Sequence, residues 1–348
     1  MFIYIGIYIL ILLFLIADFA LIKQKNKVIG LLAVILVTFI GLRGNSGADS
    51  QNYIDFFNYN TDTIWNWEGV EKGYAEYGFY YLSVLLKSLW DNIDFYFTVI
   101  SAITIFFLVK ALKEFSIYPM LGFCVYYSRF LIIRDMNQIR QALAMVIIIY
   151  AFKLLIEQKR KAFLLIILLT TFIHASSIIV LPFAFLYNKK FSLKQTILIL
   201  GISLTAGLAG SLVLKKLLLA TGYIVFLRYI DTANLGLLNP VLIFQLGICF
   251  LFFYYEPILK DKQKGYYIIR NAYLYSTILL LLTCNMGEIG GRLATIFATC
   301  EIFILPALSL TIKPRIGGYL IYLSLTVLLF GMNFLKLLQD PTSWEYFS

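Results

Sequence analysis

Charged residues are scarce in this sequence of 348 residues. Asp, Glu, Lys and Arg together make up 14% of it, whereas soluble domains carry about 25%. Hydrophobic residues make up 61%, and the mean hydropathy is +0.85. Apolar runs of roughly 18 to 25 residues recur along the chain, and a bilayer core takes about 20 helical residues to cross. The scarcity of charge excludes an ordinary soluble domain and predicts a single integral membrane domain, 1–348.

Cysteine and histidine are also scarce, and their positions exclude several kinds of site. The cysteines show no C-x-x-C pair and no metal-ligand spacing, and the only histidine, His174, belongs to no Ser-His-Asp pattern that spacing could identify. We therefore expect no metal and no other cofactor. All four cysteines lie within apolar runs, which favours a role in helix packing: Cys124, Cys249, Cys284 and Cys300.

The net charge of +10 comes mostly from Lys and Arg in short connections between the apolar runs. This distribution orients a membrane protein and does not indicate nucleic acid as a partner. The positive-inside rule places six basic connections in the cytoplasm. They are Lys23, Lys25 and Lys27; Lys110 and Lys113; Lys159, Arg160 and Lys161; Lys189, Lys190 and Lys194; Lys260, Lys262 and Lys264; and Lys313 with Arg315.

This orientation predicts an all-α, polytopic membrane protein with about ten spanning helices and both termini outside. The predicted spans are 2–22, 28–42, 94–113, 118–133, 138–156, 195–214, 240–255, 266–285, 293–312 and 317–335. The amphipathic stretch 77–90 is rich in Tyr and carries a Trp, so we expect a helix that lies flat in the outer interface. It belongs to a long, mostly acidic outer loop, 43–93.

Residues 162–187 lie between two basic clusters that both belong inside, and 26 residues cannot cross the membrane twice as full helices. A hairpin of two short helices resolves this, with its tip near 172–177. Broken helices at membrane depth occur where protein or a water-filled cavity surrounds them, so the hairpin predicts a cavity. A single long crossing is the alternative, and it would place Lys260, Lys262 and Lys264 outside.

The stretch "RDMNQIRQ", residues 134–141, places unusual polarity between two apolar runs. If it is helical, one face carries Arg134, Asn137, Gln138 and Gln141, with Arg140 beside it. Guanidinium groups bind phosphate oxygens bidentately and amides suit sugar hydroxyls, so the pattern favours a phosphorylated sugar as ligand. In the alternative, Arg134 only pairs with Asp135 or with lipid phosphates.

Two side chains could act as a base on the same outer side. His174, near the hairpin tip, suits proton transfer or a hydrogen bond to phosphate, although a lone histidine is often structural. Asp49 lies in the Gly-rich turn "GLRGNSGADSQNY", residues 41–53, and could be a base or could hold an arginine. Arg43 precedes it, and a simple capped turn with Arg43 at the interface is equally compatible.

A further positive group lies in "GEIGGRLATIF", residues 287–297. Glu288 and Arg292 are four residues apart, in the order that favours an ion pair on a helix. We expect Arg292 to face the cavity at the outer end of a spanning helix. The arginines at 43, 134, 140 and 292, with His174, then share one side, and their common chemistry is the binding of an anion.

Four segments, in their order along the chain, resemble the EpsG-like branch of the Wzy-type bacterial polysaccharide polymerases. They are "GLRGNSGADSQNYIDFF" with Arg43, Asp49 and Tyr53; "RDMNQIRQALAMVIIIYAF" with Arg140 and Gln141; "TFIHASSIIVLPFAF" with His174 and Pro182; and "GGRLATIFATCEIFILPAL" with Arg292 and Pro306. The similarity covers most of the chain. Residues 60–93 match nothing in the family pattern, and we expect substrate selectivity in such variable parts.

The resemblance implies a membrane glycosyltransferase of the outer leaflet of the bacterial cytoplasmic (inner) membrane, in capsule, exopolysaccharide or O-antigen synthesis. It would transfer a growing glycan from undecaprenyl diphosphate to a lipid-linked oligosaccharide repeat unit, independently of metal. Its implied partners are these lipid-linked oligosaccharides and membrane lipids, with a chain-length regulator and a flippase of the same pathway.

Residue roles follow from the resemblance and the charge pattern together. We expect Arg140, Arg134 and Arg292 to bind diphosphate and either Asp49 or His174 to be the base. Arg43 would orient Asp49 or contact phosphate, and the other expected substrate-binding residues are Tyr53, Asn137, Gln138, Gln141 and Glu288. A transporter or flippase of the lipid-linked oligosaccharide is the alternative, although no internal repeat is visible and the polar groups lie toward one face rather than the midplane.

Overall fold

The computed structural model describes residues 2–20, 25–67, 69, 71–221, 236–285, 287–339 and 342–346. The side chains of 17–20, 25–26, 211–215, 217–221, 237 and 287–289 lie outside this description. Across the described ranges the chain is helical, with short 3₁₀ and π segments and no β-strand. The predicted all-α fold class is therefore confirmed.

Seventeen α-helices follow one another along the described part of the chain. They are α1 Phe2–Ala20, α2 Lys25–Gly41, α3 Ser50–Tyr59, α4 Tyr77–Leu89, α5 Ile93–Phe115, α6 Pro119–Tyr126, α7 Ile132–Arg134, α8 Ile139–Ile156, α9 Arg160–Thr171, α10 Phe183–Leu186, α11 Leu193–Thr221, α12 Pro240–Tyr254, α13 Glu256–Leu259, α14 Tyr266–Leu282, α15 Gly287–Ala298, α16 Glu301–Leu308 and α17 Arg315–Leu337. A π segment, Tyr127–Leu131, joins α6 to α7, and a 3₁₀ segment, Ala175–Val180, precedes α10.

Four of the described helices are long and apolar enough to cross a membrane, fewer than the ten spans predicted. They are α5, α8, the 193–210 part of α11, and α17. A fifth span results if α15 and α16, which are bent by 53° at a short break, count as one. Other predicted spans form shorter apolar helices, such as 2–16, 27–41 and 240–254, or the interrupted run from α6 to α7. Hydrophobic length along the sequence does not reveal such interruptions.

The main core consists of apolar side chains from most of the long helices. Hydrogen bonds from tyrosine hydroxyls connect α1 to its neighbours in this core. Tyr8 on α1 and Thr326 on α17 share a hydrogen bond of 2.9 Å, and Tyr127 donates to the carbonyl of Tyr4 at 2.7 Å. Buried hydroxyls need such partners because an unpaired polar group in an apolar interior costs free energy. These bonds fasten α1 to the π segment and to α17.

The outer loop forms a small second cluster instead of an irregular segment. α4 confirms the helix predicted at 77–90, and the ten-residue α3 was not predicted. Lys87 on α4 donates to the carbonyls of Phe57, Asn58 and Thr61 at 2.7, 3.1 and 2.9 Å. A cation at the carbonyl end of a helix satisfies acceptors that have no partner within the helix, so Lys87 holds α3 against α4.

The segment 162–187 contains the two short helical pieces that were predicted, joined by a turn at 172–174. α9 is 12 residues long, and the 3₁₀ segment and α10 follow it. The tip contacts the outer loop directly, because Phe79 donates its backbone N–H to the carbonyl of Phe172 at 3.1 Å. Gly78 makes this approach possible, since a Cβ there would lie 2.7 Å from the same carbonyl oxygen.

Candidate functional site

The stretch 134–141 does not form one helix, so the continuous polar face that helical spacing would give is not present. α7 ends at Arg134, a turn follows, and α8 begins at Ile139. The turn sends the two arginines in different directions: Arg134 toward α15, and Arg140 toward the outer loop and the hairpin tip. The polar stretch therefore contributes to two neighbouring sites.

Arg134 lies within a network of neutral acceptors. Its Nη1 donates to the side-chain oxygens of Gln138 and Gln141, and its Nη2 donates to Thr295 Oγ1 at 2.6 Å. Gln141 in turn donates to the backbone carbonyl of Arg292. The sequence prediction that Arg134, Gln138 and Gln141 belong together agrees with this geometry, although here the amides accept from the arginine.

Arg292 is an exposed residue at this edge of the bundle, on α15. Arg292 lies close enough to Arg134 for the two positive charges to repel each other. The side chain of Glu288 lies outside the described part of the structure, so the predicted Glu288–Arg292 ion pair stays a prediction. The concentration of positive charge around Arg134 suits an anionic ligand.

The second arginine, Arg140, joins His174 through Glu76, an acidic residue that was not among those selected from the sequence. Arg140 Nη1 pairs with Glu76 Oε2, and the other oxygen of the carboxylate, Oε1, lies 3.5 Å from His174 Nδ1. Glu76 Oε1 also accepts the backbone N–H of Ala175 at 2.9 Å. One carboxylate thus connects α8 to the start of the 3₁₀ segment.

Glu76 stays ionised in this environment. Burial by itself raises the pKa of its carboxyl, but the nearby His174 imidazole, the hydrogen bond from the Ala175 N–H and the charge of Arg140 outweigh burial and lower the pKa to about 2. The sequence placed Glu76 among several acidic residues of one loop. Its position directly before an amphipathic helix was the only local signal, because such positions favour acidic residues near a helix N-terminus.

Aromatic residues surround the Arg140 side of the site. The guanidinium carbon of Arg140 lies 4.7 Å from the ring centroid of Tyr74, and its Nη1 also donates to the Tyr74 carbonyl at 3.3 Å. Tyr53 is buried next to Tyr74, at 6.3 Å between ring centroids. Burial raises the pKa of the Tyr53 phenol, and the neighbouring charge of Arg140 opposes that rise. The phenol is therefore neutral at physiological pH.

Asp49 lies at the other end of the same surface and is held by the turn after α7. Its backbone N–H donates to Asn137 Oδ1 at 2.6 Å. Ser50 and Gly47 approach the carbonyl of Met136; the Ser50 hydroxyl lies 3.4 Å from it. The Gly-rich turn and "RDMNQIRQ", which the sequence analysis placed on the same side, therefore contact each other directly, and Asn137 positions Asp49.

Arg43 is 1% exposed, which places it beneath this surface. Its guanidinium carbon lies 3.9 Å from the ring centroid of Phe97, and its Nη1 donates to the carbonyl of Asp135 at 3.1 Å. The structure gives Arg43 no opening toward solvent beyond a cavity of about 10 Å³. Arg43 therefore holds the turn in place from beneath.

Asp135 pairs with a tyrosine and not, as the sequence suggested, with a neighbouring arginine side chain. Tyr126 donates to Asp135 Oδ2 at 2.8 Å. Complete burial raises the pKa of Asp135 to about 7, against the opposing effects of Tyr126 and Arg43. The reason is geometric: the turn after α7 points this side chain into the core.

Two cavities open beside these groups. One of about 350 Å³ is lined by Glu76, Tyr74, Lys72 and the end of α9, and another of about 160 Å³ lies against Arg134 and Thr295. Among the described residues, no three His, Cys, Asp or Glu side chains are grouped as a metal ion would require. The available chemistry is that of a carboxylate-paired imidazole next to permanently charged guanidinium groups.

Comparison with known proteins now identifies the family. A model of the EpsG family matches residues 26–348. The chain belongs to the EpsG family. Within the curated proteins, this EpsG family member is 26% identical over 353 residues to "Amylovoran biosynthesis protein AmsC" of Erwinia amylovora, covering 93% of this chain and 92% of the relative. No solved structure matches. The resemblance seen in the four sequence segments is confirmed at the level of the family.

Proposed function

We propose that this protein is a polysaccharide polymerase of the bacterial cytoplasmic membrane. It transfers a growing glycan from undecaprenyl diphosphate to a lipid-linked oligosaccharide repeat unit, at the outward face. Membership of the EpsG family and the similarity to an amylovoran biosynthesis protein support a role in exopolysaccharide synthesis. The observation that carries the proposal is the meeting of Arg140, Glu76 and His174 beside an open cavity.

His174 is the base in this proposal, in preference to Asp49. A base must accept a proton and release it again, which an imidazole can do, and a neighbouring carboxylate orients the ring through one of its nitrogens. Glu76 Oε1 lies at that nitrogen, Nδ1. This leaves Nε2 to take the proton of the attacking sugar hydroxyl. Asp49 then has a positioning role at the edge of the site, set by its bond to Asn137.

The transfer step forms one bond and breaks one bond at the anomeric carbon of the growing glycan. The hydroxyl oxygen of the repeat unit forms a bond to the anomeric carbon of the growing glycan, and its proton passes to His174. The bond from that carbon to the diphosphate oxygen breaks, and the diphosphate keeps the electron pair. Charge therefore develops on the leaving diphosphate, where fixed positive groups lower the barrier.

Arg134 and Arg292 are the groups we assign to that diphosphate. The amides of Gln138 and Gln141 hold Arg134 in place, and Thr295 fixes its other nitrogen. Arg140 is engaged with Glu76 and stacked on Tyr74, so we assign it to the acceptor side of the site. Tyr53 supports this stack, and Arg43 holds the turn that carries Asp49.

The decisive experiment supplies the purified protein, in lipid nanodiscs, with a defined undecaprenyl diphosphate-linked repeat unit. The expected products are lipid-linked glycans that lengthen by whole repeat units, resolved on a gel and by mass spectrometry. A His174→Ala variant that folds and inserts normally is the matched control, and it should give no ladder.

Transport of a lipid-linked oligosaccharide is the competing function, since broken helices such as the bent pair α15 and α16 also occur in transporters. Proteoliposomes with the same substrate in one leaflet distinguish the two. Movement of the substrate between leaflets without lengthening would overturn the polymerase proposal.

A further inference from the structure

Two cavities between α12, α17 and the π segment form one continuous depression. The first, about 160 Å³, is the one beside Arg134; the second, about 320 Å³, opens outward between α12 and α17. They share four lining residues: Arg129, Val241, Asn333 and Lys336. We call the first the cationic cavity and the second the apolar groove.

The cationic cavity has the charge of an anion site. Arg129, Arg134 and Lys336 line it, and its described lining residues include no Asp or Glu. Lys336 and Arg129 repel each other across this space. Glu301 pairs with Arg129 Nε at 3.2 Å from within the core, so one edge of the guanidinium is held by this buried carboxylate. Like charges gathered around one space favour a ligand of opposite charge.

A buried acceptor also points to a polar ligand. Gln245, 1% exposed, lines the cationic cavity and uses its Nε2 to donate to Ser276 at 3.3 Å. Its Oε1 is buried and has no hydrogen-bond partner in the structure. Because an unpaired buried acceptor costs free energy, a ligand hydroxyl that donates to it would be stabilised.

The apolar groove has the opposite character. Phe244 on α12 forms one wall, and the other is a row of side chains on one face of α17: Leu325, Leu328, Leu329 and Met332. Leu328 is 60% and Met332 45% exposed, so both are available to a hydrocarbon chain. Arg129 lies at the junction, with its guanidinium carbon 5.7 Å from the ring centroid of Phe244.

We propose that this depression binds one lipid carrier: the diphosphate of a polyprenyl diphosphate lies between Arg129, Arg134 and Lys336, and its isoprenoid chain lies in the groove between α12 and α17. The inference takes its ligand class from the proposed function. It adds Arg129, Lys336 and the α12–α17 wall to the residues considered so far. Charge at one end and hydrocarbon along the other match the two parts of such a lipid.

Binding of undecaprenyl diphosphate without sugar tests this separately from glycan transfer. Native mass spectrometry of the full-length protein in detergent measures the bound fraction against lipid concentration. Lys336→Glu should weaken binding by about tenfold or more, because it replaces one charge-assisted contact with repulsion. Lys336→Met, which keeps the bulk of the side chain, should weaken binding in the same direction and serves if the first variant does not fold.

The groove has a matched pair of variants on adjacent residues. Leu328→Trp fills the groove and should weaken binding by about threefold or more. Val327 is 48% exposed on the same helix and does not line the groove, so Val327→Trp should bind as the wild type does. Equal binding by Leu328→Trp and Val327→Trp would overturn the groove.

A competition experiment distinguishes a site for polyprenyl diphosphate from a site for ordinary anionic lipid. Undecaprenyl diphosphate should remain bound in the presence of an equal concentration of phosphatidylglycerol, which shares an anionic headgroup but lacks the isoprenoid chain. Full displacement would mean a site for ordinary anionic lipid and would overturn the proposal. Normal binding together with an absent product ladder would instead leave this site standing and remove the polymerase function.

Discussion

Nδ1 of His174 lies 3.5 Å from Oε1 of Glu76. The first residue lies at the turn within 162–187 and the second is in the loop 43–93, almost a hundred positions earlier. The same carboxylate pairs with Arg140. Three segments that are distant in sequence therefore meet at one ionised side chain, and the first predictions concern this junction.

His174→Ala should reduce glycan transfer by on the order of 10²–10⁴, the usual contribution of a general base. Binding of undecaprenyl diphosphate should be unchanged, because the histidine is absent from the walls of the cationic cavity and the apolar groove. Asp49→Asn is the matched comparison and should cost far less. If Asp49→Asn lost more transfer activity than His174→Ala, the base would be Asp49.

Glu76 should make stability depend on acid pH. The pKa of its carboxyl is lowered in the folded state to about 2, from 4.5. A lowered folded pKa gives stability that is complete above the unfolded value and is lost as pH falls through the folded one. The melting temperature of the wild type in detergent should therefore fall toward that of Glu76→Gln between about pH 4.5 and 2.

A constant difference between wild type and Glu76→Gln across that pH range would contradict the ion pair. Above about pH 5 the ionisation of Glu76 itself no longer changes this difference, since Glu76 is fully ionised in both the folded and unfolded chain. Thermal unfolding followed by intrinsic fluorescence measures the melting temperatures of both proteins in both pH ranges.

Arg140→Lys should not rescue the function of Arg140. Lysine keeps the charge but loses the planar group that pairs with Glu76, reaches the Tyr74 carbonyl and stacks on the Tyr74 ring. Transfer should fall by about tenfold for Arg140→Lys and by more for Arg140→Ala. Full activity in both variants would remove Arg140 from the site.

Arg160→Lys is the matched control for that substitution. Arg160 also stacks on an aromatic ring, with its guanidinium carbon 4.8 Å from the centroid of Phe185. It belongs to a predicted cytoplasmic connection, so the polymerisation rate of Arg160→Lys should equal that of the wild type.

Gly47→Ala should destabilise the turn that carries Asp49. Gly47 has a φ of +118°, and a Cβ there would lie 2.1 Å from the backbone oxygen of Met136. The expected loss is on the order of 1–3 kcal/mol of unfolding free energy. Gly6→Ala, where the added Cβ meets nothing within 4 Å, should leave thermal stability unchanged or raise it. Equal melting temperatures for the two variants would contradict the close contact.

The membrane orientation has its own test. Lys190→Cys should not react with a membrane-impermeant thiol reagent added outside intact cells, whereas Asn58→Cys in the outer loop should react. Both positions are exposed, and the four native cysteines are buried, which limits background labelling. Labelling at position 190 from outside would overturn the hairpin and favour a single crossing.

Composition and charge placement predicted most of the helices, because hydrophobic length and basic connections leave a clear signal. The bounds of α8, predicted at 138–156, differ by one residue at the N-terminus. The interruptions were not predictable. Arg129, within the π segment, pairs with the buried Glu301, a contact between residues 172 positions apart, and no local pattern records it.

The site residues selected from the sequence stay predictions, and their expected arrangement is corrected in one respect. Helical spacing put Arg134 and Arg140 at one surface, and the turn between them separates their directions. Glu76 was missed because its importance arises from two long-range partners. Tertiary contacts of this kind decide which of several similar acids becomes part of a site.

The bond from the Phe79 backbone to the Phe172 carbonyl also sets a rule for building chimeras. The variable outer loop and the hairpin tip meet through main-chain atoms, with a glycine at the point of closest approach. Grafting residues 60–93 from one family member into another therefore replaces one side of this contact and leaves the other side, the turn at 172–174, unchanged. A graft that also carries residues 172–175 preserves this contact. Substrate selectivity should therefore be transferred between family members only when both segments are exchanged together.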